Sequence, residues 1–429
     1  MILTVSPAEC LGGQVFLPAS KSYSIRASLI AACGGTSTIH HPSDCDDAFV
    51  AMSIAKVLGC RIQKAGKNSY RVVRVKNVPG VSRVNVGESG TVLRFLLPLL
   101  SLYPKKIIVE GRGTLRGRPN HHLVQTLRSM GVALRGQGPK ESIPITISGG
   151  TFKGGRHFID GSLSSQFISA LLIACPQLAE DTELLITGKK NVSGDYITMT
   201  ESVLKKAGIR VDRKSERQFY IPGKQKFKGL KNFTVPSDYG LAAFLLAAAS
   251  LFPSEVVLKG YLKDDLIQAD GAILNYLRKM GVKFRKTDSA ITIQGPFQLR
   301  GGNFSLKDCP DLVPIMAVLA LFAKGTTRLS DIAHARAKES DRISDLRTEL
   351  LKIGASIEES TNALIIHPRA DYKKHVLLDP HHDHRLAMAF SVLGLKIGAR
   401  IKDIECTHKS YPGFVKDFQR IGAAVKKTK

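Results

Sequence analysis

The sequence predicts an α/β protein of six repeated α/β units, three per domain, and three observations carry that expectation. One helix-ending pattern recurs at Gly59, Gly131, Gly208, Gly281, Gly354 and Gly422, at intervals of 68 to 77 residues. A strongly apolar helix is expected roughly 40 residues before each of these glycines. β-Branched or apolar runs follow most of them, as in Val282-Lys283-Phe284 and Ala355-Ser356-Ile357, and read as strands. A length of 429 residues suits two or three such domains, each with its own core.

In chain order the glycine-stopped helices read AKVLGC, LRSMGV, LKKAGI, LRKMGV, LLKIGA and FQRIGA. Each is amphipathic and ends where a glycine can take the left-handed conformation. The apolar helices are expected over 22–33, 90–102, 165–175, 238–252, 311–323 and 384–395. Apolar on nearly every face, they belong in the interior against sheets. Their first residues are Ser-Lys-Ser, Glu-Ser-Gly-Thr, Ser-Ser-Gln, Ser-Asp-Tyr, Pro-Asp and Asp-His-Arg. Ser, Thr and Asp at such places serve as N-caps. Capping leaves Lys21, Arg26, Arg94, Arg342 and Arg385 unexplained, because the macrodipole disfavours cations at a helix start. An anionic ligand held at the same end would explain them. The polar stretch 223–231 is the expected crossover between the domains.

Composition narrows the functional classes. With 43% hydrophobic and 23% charged residues the chain is neither collagen-like nor disordered. Its longest apolar stretch, 241–252, is too short to span a bilayer, so no membrane role is expected. Sixty-two Lys+Arg against 36 Asp+Glu leave a net charge of +26, which asks for anionic partners: nucleic acid, acidic lipid or phosphorylated small molecules. Seven scattered cysteines, never in CxxC spacing, point to reduced thiols and a cytoplasmic location. The opening MILTVSPAEC lacks the features of a signal peptide.

Several motifs carry chemistry. Lys21 and Arg26, with Ser22 and Ser24 between them, can hold a phosphate at a loop-to-helix junction, yet the glycine spacing of a P-loop is missing. Gly87-Glu88-Ser89-Gly90-Thr91 with Arg94, and Gly117-Arg118-Pro119, read either as surface turns or as close-approach loops with a cation. Ser162, Ser164, Ser165 and Gln166 offer neutral donors and acceptors suited to a polyhydroxylated ligand, and Ser193 and Tyr196 can extend that wall. Asp311 is followed by Arg336-Ala337-Lys338-Glu339-Ser340-Asp341-Arg342, where Lys338 and Arg342 are spaced to share a helix face with Glu339 at its edge. The run is either a solvated helix or a set in which a carboxylate among cations acts as a base. His381-His382-Asp383-His384 invites a metal reading, but no helix or strand spacing aims its side chains one way. Arg385 and Lys409 read as further anion ligands.

These residues together resemble the 5-enolpyruvylshikimate-3-phosphate synthase family, the 3-phosphoshikimate 1-carboxyvinyltransferases among the enolpyruvyl transferases. The resemblance runs in order through SKSYSIR, GESGTVLRF, GRP, SSQF, PD, AKESDR, DHRLAM and KSYPGF. It implies the two-domain enolpyruvyl-transferase fold, with 20–236 as one domain and 1–19 plus 237–429 as the other, and buried helices aimed at an interdomain cleft. It also implies a cytoplasmic monomer without cofactor or metal, transferring a carboxyvinyl group from phosphoenolpyruvate to shikimate 3-phosphate. Carried over residue by residue, it makes Asp311, Glu339 and Lys21 catalytic. Shikimate 3-phosphate would meet Lys21, Ser22, Arg26, Ser164, Ser165, Gln166, Ser193, Tyr196, Asp311 and Lys338. Phosphoenolpyruvate would meet Lys21, Gly90, Arg118, Gln166, Arg342, Arg385 and Lys409. The chain departs from the family at Glu88-Ser89, often Asn-Ala, at Ile25 and His334, commonly Asn, and at Pro236-Ser237.

Two other functions compete. The sister carboxyvinyltransferase of UDP-N-acetylglucosamine carries a catalytic Cys before its Arg-Pro pair, whereas 111–119 has none. Nucleic-acid binding would call for basic patches interleaved with aromatics. The chain has no Trp, and Lys189-Lys190, Lys205-Lys206, Lys373-Lys374 and Lys426-Lys427 are dispersed, so no specific nucleic-acid partner is expected.

Overall fold

A computed structural model of the chain describes residues 1–75, 81–188 and 193–428; Lys189, Lys190 and Val192 lie outside them. The chain divides into two compact units. Ala19–Val235 form a continuous unit, and Met1–Pro18 with Pro236–Lys429 form a discontinuous one.

The continuous unit holds α1 (Lys21–Ala31), α2 (Asp46–Val57), α3 (Gly90–Ser101), α4 (His121–Ser129), α5 (Ser165–Ala174) and α6 (Gly194–Lys206). The discontinuous unit holds α7 (Tyr239–Leu251), α8 (Ala272–Lys279), α9 (Val313–Leu321), α10 (Ser344–Lys352), α11 (His384–Ile397) and α12 (Phe414–Arg420). The odd-numbered helices are the apolar ones. Every residue of α7 and of α9 is buried. In the discontinuous unit α11 packs on α7 and α9, and α7 and α9 pack on each other, so three apolar cylinders share one core. Each fully buried Leu or Phe there contributes about 1.5–3 kcal/mol of transfer free energy. The even-numbered helices are amphipathic and bury one stripe, as α8 does with Ile273, Leu274 and Leu277. Beyond each of them stands the recurrent glycine, with φ between +79° and +99° at all six positions. Such a φ crowds a Cβ, so glycine ends the helix there and turns the chain into a strand.

Among the described residues each unit contains three four-stranded sheets of one design. In the simplest, strand Arg83–Asn85 leads through α3 to Ile107–Glu110, which it pairs in parallel; α4 then leads to the hairpin Val132–Gln137 and Ser142–Gly150. The last strand inserts beside the second, antiparallel. A helix between parallel neighbours is the usual way to close that pair, since a tight turn cannot.

Three sheets are completed by strands distant in sequence. Lys231–Thr234 pairs in parallel with Thr36–His40, and Leu11–Phe16 pairs in parallel with Ser254–Lys259. Ile2–Val5 lies between Ala399–Ile401 and Val425–Thr428, antiparallel to both. The stretch 223–231, expected as a crossover, lies inside the continuous unit, whose boundary falls between Val235 and Pro236. The reason is pairing: Lys231–Thr234 must first serve as a strand. The seven cysteines are thiols. Among the described residues no helix is long and apolar enough to cross a membrane.

Candidate active site

Asp311 sits on a 3-10 turn, Pro310–Leu312, that opens into α9. The charged run after it is not the helix its spacing suggests. Ala333–Ala337 is a 3-10 turn, Lys338 is extended, and α10 begins only at Ser344. Asp341 explains the delay. Its Oδ1 accepts the N–H groups of Ile343 and Ser344, both at 3.1 Å, while Arg336 holds the same carboxylate at 2.9 Å. A carboxylate that satisfies the first free N–H groups ends up outside the helix.

The resulting loop brings its side chains together around Arg342, which is 1% exposed. The guanidinium donates to Asp311 Oδ1 at 2.7 Å, to Glu339 Oε2 at 3.1 Å and to Asp383 Oδ2 at 2.6 Å. Lys338 Nζ lies 3.4 Å from Asp311 Oδ1, and Arg385 Nη2 lies 3.2 Å from Asp311 Oδ2. Lys409 Nζ lies 3.5 Å from Glu339 Oε1. Asp383 also accepts the Arg385 N–H at 2.8 Å, so one carboxylate both caps α11 and clamps Arg342.

Burial alone would raise the Asp311 pKa, but Lys338, Arg385 and Arg342 outweigh it and hold the carboxyl well below its usual range. Burial works against the Arg342 charge, yet Asp383, Asp311 and Glu339 keep its pKa well above the ordinary value. Burial, reinforced by Lys338, pushes His334 down to about 3, so its imidazole is neutral. Arg385 Nε and Lys409 Nζ are buried donors without a hydrogen-bond acceptor among the described residues. Buried donors in that condition fit an anionic ligand.

The continuous unit carries the remaining expected residues. Ser20 caps α1, so Lys21 is its first helical residue, one position before the expected start, and Lys21 Nζ lies 3.3 Å from Asp47 Oδ2. Arg26 is buried between the Phe95 and Tyr196 rings and donates to Ser22 O, Thr200 Oγ1 and Tyr196 O at 3.1, 2.9 and 3.0 Å. Burial lowers its pKa to about 10, which still leaves it charged at neutral pH. Ser193, at φ +58°, immediately precedes α6, and Tyr196 is in its first turn. Ser164 caps α5, and Ser165 is buried behind it. A Cβ on Gly90 would stand 2.8 Å from Arg118 Nη1, so the bare glycine lets that guanidinium lie against the first turn of α3. Arg118 is extended ahead of Pro119, as its place before a proline predicts.

Arg94 is more than the cation near a helix start that the sequence marks. It donates to Gln166 Oε1 at 2.7 Å, Pro119 O at 3.1 Å and Asn120 Oδ1 at 3.4 Å, while Gln166 Nε2 donates to Thr91 Oγ1 at 3.0 Å. It thereby ties the Arg118 loop and the first turn of α5 to α3. Asp383 hides in the sequence because a cap and a clamp look alike there. Asp270, in the turn ahead of α8, has no motif at all. In the histidine run, His381 Nε2 faces Glu349 at 3.3 Å and His382 Nδ1 faces Asp403 at 2.6 Å. Among the described residues no three His, Cys, Asp or Glu side chains converge as a metal site.

The chain therefore holds one cluster of carboxylates and cations (Asp311, Lys338, Glu339, Arg342, Arg385, Lys409) in the discontinuous unit. The continuous unit groups Gly90 and Arg118 with Ser164 and Gln166 through Arg94, and gathers Ser22, Arg26 and Tyr196 where α1 meets α6. Residues 5–418 match the family model for EPSP synthase (3-phosphoshikimate 1-carboxyvinyltransferase). The 3-phosphoshikimate 1-carboxyvinyltransferase of Methanosarcina mazei is 36% identical over 423 residues, covering 96% of each chain. That of Methanocaldococcus jannaschii is 34% identical over 429 residues, covering 99% of each. The structure of EPSP synthase from Acinetobacter baumannii superposes with a TM-score of 0.80 at 25% identity, over 99% of this chain and 100% of that one. The enolpyruvyl transferase NikO from Streptomyces tendae shares the fold, with a TM-score of 0.77 at 16% identity over 100% of this chain and 98% of that one.

Proposed function

We propose, from the premise that the chain belongs to the EPSP synthase (3-phosphoshikimate 1-carboxyvinyltransferase) family, a division of labour among its charged residues. The reaction moves the carboxyvinyl group of phosphoenolpyruvate onto the 5-hydroxyl of shikimate 3-phosphate and releases phosphate, in the shikimate pathway toward chorismate and the aromatic amino acids. The continuous unit supplies most of the shikimate 3-phosphate contacts: Lys21, Ser22, Arg26, Ser164, Ser165, Gln166, Ser193 and Tyr196. The discontinuous unit adds Asp311 and Lys338. Phosphoenolpyruvate is held by Lys21, Gly90, Arg118 and Gln166 in the one unit and by Arg342, Arg385 and Lys409 in the other. The setting we propose is a cytoplasmic monomer.

The convergence of Lys338, Arg342 and Arg385 on Asp311 is the observation that carries the reading. In that environment Asp311 is ionised throughout the physiological range and can accept a proton. An incoming carboxylate or phosphate competes for the same cations, and whatever share Asp311 loses raises its basicity. Substrate binding thus activates the base. As the 5-hydroxyl oxygen bonds to C2, its proton passes to Asp311 and C3 gains a proton from Glu339 and Lys21. The tetrahedral intermediate then returns the C3 proton to the same pair as the C2–O bond to phosphate breaks; the double bond re-forms as an enol ether, and the departing phosphate carries off the proton that Asp311 took. Fixed cations stabilise the charge that gathers on the leaving phosphate.

Phosphate release from phosphoenolpyruvate is expected with shikimate 3-phosphate and not with UDP-N-acetylglucosamine; silence with the former would overturn the reading. Gly90→Ala should displace Arg118 and raise the KM for phosphoenolpyruvate about tenfold, in line with about 1–3 kcal/mol for overpacking. Steady-state kinetics with each substrate varied in turn checks this, and an unchanged phosphoenolpyruvate KM would remove Arg118 from the site.

A further inference from the structure

We propose that Asp270 is a positioning residue for Arg385: its buried carboxyl, seated over the bare Cα of Gly240, competes with Asp311 for the guanidinium and tunes the grip on phosphoenolpyruvate. The inference rests on the reading of Arg385 as a phosphoenolpyruvate ligand.

The seating begins at Gln268. Its Oε1 accepts the Tyr239 N–H at 3.2 Å and its Nε2 donates to Ser237 O at 2.8 Å, which fastens the turn Ala269–Gly271 to the start of α7. Asp270 then lies over Gly240. A Cβ there would collide with Asp270 Oδ2 and stand 2.8 Å from Arg385 Nη1. Glycine is what admits both groups. Arg385 Nη1 donates to Gly240 O at 2.6 Å, which fixes the guanidinium plane. Its Nη2 lies 3.2 Å from Asp311 Oδ2 and 3.9 Å from Asp270 Oδ2, so one nitrogen faces two carboxylates.

Neighbouring elements bring further charged and titratable groups to Asp270. α7 brings the capping carboxylate of Asp238 and the ring of Tyr239, and Lys338 acts from beyond Asp311. On α8, Arg278 lies over the Phe284 ring and Lys279 is exposed. Burial, then Asp311, raise the Asp270 pKa to about 7, with Arg385 offsetting only part of the rise. Protonated, Asp270 leaves Arg385 to Asp311 and the substrate; ionised, it draws the guanidinium charge to itself. A rise in pH through neutrality therefore weakens the hold on an anion.

The test is the KM for phosphoenolpyruvate, at saturating shikimate 3-phosphate, between about pH 6.5 and 8.5. In the unaltered enzyme it should rise several-fold across that range, with about tenfold per pH unit as the ceiling for one linked proton. Asp270→Asn is neutral at every pH and should remove most of the rise while keeping kcat within about twofold. Asp270→Ser, also neutral, replaces it if the amide variant does not fold. Parallel pH profiles in the variant and the unaltered enzyme would overturn the proposal. Arg385→Lys separates the two layers: an unchanged phosphoenolpyruvate KM in that variant sinks the role of Arg385 itself, and the inference with it.

Discussion

Asp311→Ala should lower kcat by about 10²–10⁴-fold, the range that a positioned general base contributes, while the KM for phosphoenolpyruvate stays level or falls. The split follows from charge. Lys338, Arg342 and Arg385 all lie within 3.4 Å of this carboxylate, so its removal frees them for an incoming anion and makes the pocket one charge more positive. Arg342 keeps Glu339 and Asp383, which limits the structural damage. Steady-state kinetics decides the matter, and near-normal turnover would refute Asp311 as the base. The depressed pKa adds a stability signature with a definite sign. Its stabilisation is present above the unfolded value of about 4 and is lost as pH falls through the lower folded value. Asp311→Asn should therefore lose less stability below about pH 4 than the unaltered protein does.

Replacing Arg342 is expected to be the costliest change to the fold. Asp311, Glu339 and Asp383 all bond to it, and Asp383 is fully buried. Arg342→Ala strips the guanidinium from Asp383, while Asp311 keeps Lys338 and Arg385 and Glu339 keeps Lys409; breaking a buried pair from one side in this way costs about 3–5 kcal/mol. Arg342→Lys restores the charge but not the planar fork that reaches three partners at once, so it should recover only part of the loss. Denaturant unfolding measures both. A cost below about 1 kcal/mol for the alanine variant would mean that the hub is no more than a surface pair.

What was legible in the sequence was local. A glycine that stops a helix, or an apolar run that must be buried, announces itself within a dozen residues, and all six repeats are present in the fold. The charged run before α10 misled because Lys338 and Arg342 stand at helical spacing, while the decisive group is the Asp341 side chain that satisfies the backbone ahead of the helix. Asp383 was visible only as a cap; its clamp on Arg342 depends on where two distant loops meet. Asp270 was invisible, since the Gln268 bonds and the missing Cβ of Gly240 exist only once the chain is folded. Strand exchange was equally hidden, because periodicity records what a segment is and not which neighbour it joins.

That exchange bears on synthesis. During synthesis Ile2–Val5 and Leu11–Phe16 emerge ahead of the continuous unit, yet the partners of both strands lie beyond Pro236. The continuous unit has all its strands in hand once Thr234 is out and can close by itself. These two strands must wait through that entire interval with open edges, the condition in which β-structure mispairs. The exposed Glu9 between them and the run Gly12-Gly13 inside the second are the residues of low strand propensity that such a delay favours. Co-translationally, then, the strands ahead of the continuous unit are seated after it.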